Sequence, residues 1–321
     1  MGAKVGYEYD FGDAWDHLIT IIGDYPVPPA HLECVAGHMR GPVEDSGGVH
    51  GYDNLIKALN GNQEDSADAI EWFESVTGES ADDFDPEGID LQNINRDLRK
   101  LSRFLWRSEL PLDVMSGVVR PVQWLLQRAG AGGLELTKDG YLKPAVVQEI
   151  MQELEWAGRW YGKFNREAQT LPVLDLRQQI QEWKLLRKFK GNLVLTPVGR
   201  RLVHDDASLW DYLAERIAHP SQPAIELVNA VVVQWLVEEN LPSFDVRGHA
   251  MAEILLANGF TYDGGPLSGR EGLSLVHDTM RTLKCLNLFV KSGVLSESKE
   301  ATDAGQEFLL EIQRKQHRRP S

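Results

Sequence analysis

The stretch YEYDFGDAWDH, residues 7–17, decides how we interpret the beginning of this 321-residue chain. Its aromatic side chains and one histidine alternate with polar residues on both sides of a short break: Tyr7, Tyr9 and Phe11 before it, Trp15 and His17 after it. Alternation with a period of two is typical of a β-strand with one buried face. The sequence therefore predicts a β-hairpin with an aromatic, buried face and an acidic, solvated face.

The length of the connection decides which residues of this hairpin face each other. We predict a three-residue loop, Gly12-Asp13-Ala14. This loop pairs Phe11 with Trp15 beside the turn. It also pairs Tyr9 with His17, so that the apolar side chains stay together on one face.

The acidic residues of the chain are concentrated in its first part. Residues 1–100 contain 21 Asp and Glu but only 6 Lys and Arg, a net charge of −15, whereas the remaining residues contain 27 of each. Phosphate backbones repel an acidic module, so this part is a poor candidate for nucleic-acid binding. It is better suited to a cation or a basic partner, although a plain solvated surface gives the same pattern.

The overall composition is that of an ordinary soluble protein, with 42% hydrophobic and 25% charged residues. Apolar runs fall short of the roughly 18 residues that a membrane span needs. Two distant cysteines, Cys34 and Cys285, suggest no disulfide framework. We therefore expect a cytoplasmic protein without a membrane partner.

Beyond about residue 105 the sequence changes to amphipathic helices, and one element recurs three times. It consists of an apolar run, Thr-x-x-Gly and a second apolar run, as in LELTKDGYL (134–142), LVLTPVGRRLV (193–203) and EATDAGQEFLLEI (300–312). In the middle copy Thr196 is placed to cap a helix that begins at Pro197. A helix, two short strands and a capped helix are how a winged-helix unit ends. We predict a tandem winged-helix-like region, and the alternative is a generic helical domain with coincidental caps.

Four motifs in the first hundred residues together resemble a known family. They are YEYDFGDAWDH, the pair Cys34 and Gly37, GPVEDSGGVHGY (41–52) and FDPEGIDLQNIN (84–95). Their order is similar to the second half of the plasmid pRiA4b ORF-3-like domain. The resemblance implies an α+β domain of unassigned biochemistry, associated with plasmids and mobile elements. The helical region that follows resembles an extension found on actinobacterial members.

Two departures from the family pattern affect these expectations. Ser46 stands where the family commonly has cysteine, so a role for that thiol is not expected here. Such domains also begin some tens of residues earlier, which implies a truncated domain over residues 1–103. A truncated sheet would leave an exposed strand edge beside the hairpin. The predicted fold is thus α+β, a small hairpin with helices followed by a mainly α region over residues 104–321.

The acidic hairpin provides a candidate site for a divalent metal cofactor. Hard carboxylates and an imidazole could hold such an ion if the EDSGG loop folds back on the hairpin. The candidate ligands are Asp10, Asp13, Asp16, His17, Glu44 and Asp45. A structural hairpin with an Asp-capped turn is the favoured alternative.

A basic segment provides a candidate nucleic-acid interface. Its sequence, KLLRKFKGNLVLTPVGRR, surrounds a predicted wing, and its cations are Lys184, Arg187, Lys188, Lys190, Arg200 and Arg201. Wings commonly contact phosphates, although winged helices also serve as protein-interaction modules.

These patterns favour a non-enzymatic binding or regulatory protein of plasmid or mobile-element association. A partner protein or a second copy of the chain is its expected ligand. The alternatives are a DNA-binding transcriptional regulator acting through residues 184–201 and a metal-dependent hydrolase using the acidic hairpin. Catalytic residues and an organic cofactor are not predicted.

Overall fold

The computed structural model describes residues 2–10, 12–23, 32–60, 66–106, 110–159, 162–290 and 300–318. It divides into two compact units, Met1–Ser108 and Glu109–Ser321. The N-terminal unit contains β1 (Lys4–Tyr9), β2 (Trp15–Thr20), α1 (Gly48–Leu59), α2 (Ser66–Thr77) and α3 (Leu91–Leu105). Because α3 continues through Leu105, the units separate a few residues after the predicted boundary at 103. The predicted α+β class is confirmed.

Strands β1 and β2 form the predicted antiparallel hairpin, but its register differs from the prediction. Tyr9 lies opposite Trp15 and Tyr7 opposite His17. The connection is therefore five residues long, 10–14, and the predicted three-residue loop is wrong. Because the two registers differ by two residues, the same side chains still share one face.

Backbone geometry at Asp10 explains the longer connection. Asp10 has a φ of 53°, which takes it out of the strand conformation. Its side chain accepts a hydrogen bond from the Gly12 N–H at 2.9 Å. Its carbonyl oxygen accepts hydrogen bonds from the N–H groups of Asp13 and Ala14. These bonds end β1 at Tyr9, and Phe11, the predicted partner of Trp15, lies outside the described residues.

The aromatic face of the hairpin is largely exposed, which contradicts the prediction of a buried face. Tyr7 is 54% exposed and Ile19 is 53% exposed. Trp15 is half-buried and packs edge-on against Tyr52 of α1, with ring centroids 6.2 Å apart. The described part of this sheet has two strands. The small core of the unit packs against the turn end of the hairpin, at Trp15, and leaves the rest of the aromatic face exposed. This core consists of Val43, Tyr52, Leu55 and Phe73.

Helices α1 and α2 cover most of the amphipathic segments GYDNLIKALN (51–60) and SADAIEWFESVTG (66–78). The segment FDPEGIDLQNIN (84–95) forms a turn followed by the start of α3. The N-cap of α3 is Asp90, whose side chain accepts the Asn93 N–H at 2.9 Å.

The C-terminal unit begins with a compact subdomain and continues as a helical bundle. Its first elements are α4 (Leu112–Gly130), β3 (Leu134–Glu135), α5 (Pro144–Glu153), α6 (Leu171–Glu182), β4 (Leu186–Phe189), β5 (Asn192–Leu195) and α7 (Pro197–Leu202). The three strands form an antiparallel sheet in the order β3-β5-β4. The bundle consists of α8 (Asp206–Ala218), α9 (Pro223–Val237), α10 (Phe244–Ala257), α11 (Gly269–Lys284) and α12 (Asp303–His317).

One apolar core runs through this unit, and it includes the edge-to-face pair of Trp210 and Phe308. Large aromatic residues in such a pair contribute more than their buried area alone. Among the described ranges, the helices include none that is long and apolar enough to cross a membrane.

Two of the three Thr-x-x-Gly elements cap a helix, and the first does not. The Thr196 hydroxyl accepts the Gly199 N–H at 3.0 Å, at the start of α7. The Thr302 hydroxyl accepts the Gly305 N–H at 3.0 Å, at the start of α12. The first copy instead forms a tight turn after β3, where the Thr137 hydroxyl accepts the Tyr141 N–H. A helix does not follow that turn at once, because the chain runs back across the sheet edge through the Leu136 to Leu142 bridge.

Candidate binding surfaces

An exposed apolar surface lies on one side of the N-terminal hairpin. We define this hairpin face by Val5, Tyr7, Tyr9, His17 and Ile19, which share one side of the β1–β2 ladder. The Tyr7 and His17 rings are 5.9 Å apart. Large apolar patches on a surface mark interaction sites more often than scattered apolar side chains do. Among the described residues, the outer edge of each strand also lacks a backbone partner.

The acidic residues beside this face bind backbone and tyrosine groups of their own unit. Asp13 accepts the Gly47 N–H at 3.1 Å. The Tyr9 hydroxyl donates to the Glu44 carboxylate at 2.7 Å, and this hydrogen bond raises the pKa of Tyr9 above its ordinary value. The EDSGG loop therefore folds back on the hairpin, as the metal hypothesis required.

The six candidate metal ligands are nevertheless spread over different surroundings. Asp10 and Asp13 bind backbone N–H groups, and Asp16 lies opposite Glu8 in the ladder. His17 is on the other side of the sheet from Asp16, because neighbouring residues in a strand point to opposite faces. Within the ranges that the structure describes, His, Cys, Asp and Glu form no group of three suited to a metal ion.

Several motif residues that are distant in sequence contact one another and hold the N-terminal unit together. The Cys34 N–H donates to the Asn95 side chain at 2.7 Å, and the Asn95 amide donates back to the Cys34 carbonyl at 2.9 Å. A side chain at Gly37 would overlap with Ile89, and one at Gly51 would overlap with a backbone carbonyl. The motifs thus encode the fold of this unit, and the sequence analysis did not foresee the Cys34–Asn95 pair.

Comparison with known proteins finds similarity over the part of the chain that contains these motifs. Residues 1–93 match the family model described as plasmid pRiA4b ORF-3-like protein. This segment is similar to the plasmid pRiA4b ORF-3-like family. The chain is also similar to a curated relative, the uncharacterized protein y4hQ of Sinorhizobium fredii (strain NBRC 101917 / NGR234). The two are 41% identical over 86 residues, which is 25% of this chain and 43% of y4hQ.

The chain thus covers less than half of the length of the relative that it matches. A second family model, the Y4jL N-terminal domain, matches residues 114–208, which include the first subdomain of the C-terminal unit. No solved structure matches the chain. The resemblance of the helical region to an actinobacterial extension stays a prediction.

The predicted nucleic-acid residues surround the β4–β5 hairpin of the C-terminal unit. We call residues 184–201 the basic hairpin, because this segment has six cations and no acidic residue. Phe189, at the end of β4, is 47% exposed. The Arg187 guanidinium lies 4.7 Å from the centre of its ring and the Lys190 ammonium lies 5.5 Å from it. Lys184, Lys188, Arg200 and Arg201 are exposed as well.

Helix α6, which precedes the basic hairpin, has a different surface. Its side chains outside the core include Asp175, Gln178 and Glu182, so this surface is acidic and polar. Part of it also contacts α11, where the Thr282 hydroxyl donates to Gln179 at 2.9 Å. Cations that could contact phosphate are therefore on β4, on its flanking turns and on α7 rather than on α6.

A buried ion pair under α6 was missed in the sequence analysis. Glu167 is 1% exposed and Arg177 is 5% exposed, and the Arg177 guanidinium donates to the Glu167 carboxylate. A signal was present, because Arg177 follows Val173 by four residues and so lies on the apolar stripe of α6.

Burial raises the pKa of the Cys285 thiol, which keeps it protonated and unreactive at neutral pH.

Proposed function

We propose that this chain is a non-enzymatic binding protein whose hairpin face accepts a partner polypeptide. The observation that carries the proposal is the exposure of the hairpin face, since Tyr7, Tyr9 and Ile19 are each more than 40% exposed. An isolated two-stranded hairpin is marginally stable in water. An added strand would satisfy an open strand edge and place its own apolar side chains beside those of the hairpin face.

The charge around the hairpin face indicates the chemistry of the partner. Glu8, Asp10, Asp13 and Asp16 accompany a single cation, Lys4, in residues 1–20. A basic, extended segment with alternating apolar residues would complement both the charge and the apolar face. A second copy of the chain would bring another acidic unit and would be repelled. The plasmid named in the family description supports an association with a mobile element.

A peptide of about ten residues with alternating Val and Lys tests this proposal. We expect it to bind the full-length chain, whereas the matching Val and Glu peptide does not. Ile19→Lys places a charge on the apolar face and should weaken binding about tenfold. The measurement is fluorescence anisotropy of the labelled peptide, with binding that falls as salt screens the charges.

Val49→Lys is a matched control, because Val49 is 55% exposed and lies on α1 of the same unit. It makes the same charge change and should leave peptide binding unchanged. Equal weakening by both variants would mean that net charge causes the effect and that the hairpin face is not the binding surface. If the free chain forms dimers and Ile19→Lys dissociates them, the partner is instead a second copy of the chain.

The basic hairpin supports DNA binding as a second candidate function. The elements from α4 to β5 follow the order helix, strand, helix, helix, strand, strand, and β5 is the central strand of the sheet. Both features support a winged-helix assignment. In this proposal the β4–β5 wing contacts phosphates through cations such as Arg187 and Lys190. Sequence-specific contact by α6 is not expected, because its outer surface is acidic and contacts α11.

Salt dependence of duplex binding tests the DNA proposal. The association constant falls with salt by a log–log slope of about −0.9 per neutralised phosphate. Lys188→Glu/Lys190→Glu should therefore reduce the magnitude of this slope by about 1.8 or more. The double variant Arg99→Glu/Arg270→Glu makes the same net charge change at exposed positions outside the basic hairpin. If both double variants change the slope equally, the basic hairpin is not the DNA-binding surface.

A further inference from the structure

A cleft in the C-terminal unit opens between α6, α8, α9 and α11. Its inner chamber has a volume of about 230 Å³ and adjoins a groove of about 620 Å³. The two are continuous, because Gln179, Asp278 and Thr282 line both. Together they reach the size range of sites for small organic molecules, roughly 300–1,000 Å³.

One side of the inner chamber is apolar. Trp183 and Ile217 are almost completely buried there, and Leu275 and Ile225 are half-buried. The carbonyl of Trp183 accepts a hydrogen bond from the Tyr212 hydroxyl at 2.6 Å, which fixes the backbone at the end of α6. An apolar wall of this kind suits the ring of an aromatic ligand.

The floor of the chamber is polar but already satisfied. The Thr279 hydroxyl donates to the Asn229 side chain at 2.8 Å, and the Asn229 amide donates to the Ile217 carbonyl at 2.9 Å. Both side chains are buried. Because these groups are bound to each other, they hold α9 and α11 in a fixed arrangement and keep the chamber preformed.

Arg216 of α8 is the unsatisfied group in this cleft. Its Nε is buried and has no hydrogen-bond partner among the described residues. Its terminal nitrogen makes one long bond, at 3.4 Å, to the Glu182 carbonyl. The Asp278 and Asp175 carboxylates of the cleft lie 2.8 Å and 4.0 Å from the Arg281 guanidinium, and Glu182 lines the cleft as well. Arg216 also lines the cleft, and a carboxylate is the acceptor that best matches the terminal nitrogens of a guanidinium.

We propose that this cleft binds a small aromatic carboxylate. The ring lies against the wall formed by Trp183, Ile217 and Leu275, and the carboxylate accepts hydrogen bonds from Arg216. Because Trp183 lies three residues before β4, the ligand would be next to the start of the basic hairpin. This site is independent of the hairpin face and of any partner polypeptide.

Titration of the full-length chain with benzoate tests the proposal, and benzyl alcohol serves as the uncharged comparison. By ligand-observed NMR we expect benzoate to saturate with a dissociation constant on the order of 1 mM, more tightly than benzyl alcohol. Arg216→Met keeps the apolar stem and removes the donors. It should weaken benzoate binding at least about tenfold and abolish the preference over the alcohol.

Arg99→Met, which removes an exposed arginine of the N-terminal unit, is the matched control and should leave binding unchanged. Ile225→Trp fills the apolar side of the cleft without changing a charge, so it should weaken the binding of both ligands. This variant keeps the test decisive if Arg216→Met fails to fold, as circular dichroism would show. Benzoate that does not saturate, or that binds both cleft variants as tightly as the parent, would overturn the proposal.

Discussion

Replacement of Gly199 by alanine is expected to destabilise the C-terminal unit by about 3 kcal/mol. Gly199 lies at the start of α7, where an added Cβ would overlap with the Leu185 carbonyl oxygen. That carbonyl already accepts hydrogen bonds from the N–H and the hydroxyl of Thr196. The substitution therefore forces apart β4, β5 and α7, which together position the basic hairpin.

For a unit of this size, the loss corresponds to a fall in melting temperature of roughly 6–12 °C. Gly305→Ala should have a similar effect, because its Cβ would overlap with the Leu288 carbonyl in the same way. Scanning calorimetry of the full-length chain would measure both. The control is Gly117→Ala in the second turn of α4, where nothing lies within 4 Å of the added Cβ. That change should be neutral or stabilise by up to about 1 kcal/mol, and an equal loss in all three would refute the packing argument.

Loss of the buried ion pair is the second large effect that we expect. Arg177→Met leaves the Glu167 carboxylate buried without its cation, which should cost about 3–5 kcal/mol. The Glu167 carboxylate also accepts the Leu142 N–H, and Arg177 donates to Gln181 at 2.7 Å. This network fixes α6 against the chain that follows β3. Denaturant unfolding monitored by circular dichroism would measure the loss.

The double variant Glu167→Gln/Arg177→Met should recover most of that stability. A neutral glutamine can still accept the Leu142 N–H, and the methionine occupies the space of the arginine stem. The exposed pair of Lys143 and Glu135, at 2.6 Å, is the control. Glu135→Gln should cost less than about 1 kcal/mol. A loss from Arg177→Met as small as this, or no recovery in the double variant, would contradict the role assigned to the buried pair.

Local patterns in the sequence were sufficient for several elements of the fold. Period-two alternation identified the N-terminal hairpin, and the Thr-x-x-Gly spacing located the caps of α7 and α12. These features depend on residues within a few positions of one another, so a short window of sequence contains the necessary information. The same spacing failed at Thr137, because the chain there crosses the edge of a sheet whose central strand, β5, lies more than fifty residues later.

The candidate sites were predictable to different degrees. The six cations of the basic hairpin follow directly from composition and lie around one hairpin in the structure. The six proposed metal ligands did not come together, because Asp10 and Asp13 bind backbone N–H groups and alternation places Asp16 and His17 on opposite faces. The cleft around Arg216 gave no local signal, since its walls come from four helices that are distant in sequence.

The sequence by itself determined that an acidic, aromatic hairpin opens the chain, that the family motifs lie in its first hundred residues, and that helices follow. Tertiary structure alone decided the register of the hairpin, the exposure of its aromatic face and the burial of Arg177. The physical reason is that alternation specifies which side chains share a face, whereas burial depends on what packs against that face. For Tyr7 and Ile19, the described residues supply no such neighbour, and for Arg177 they supply the carboxylate of Glu167.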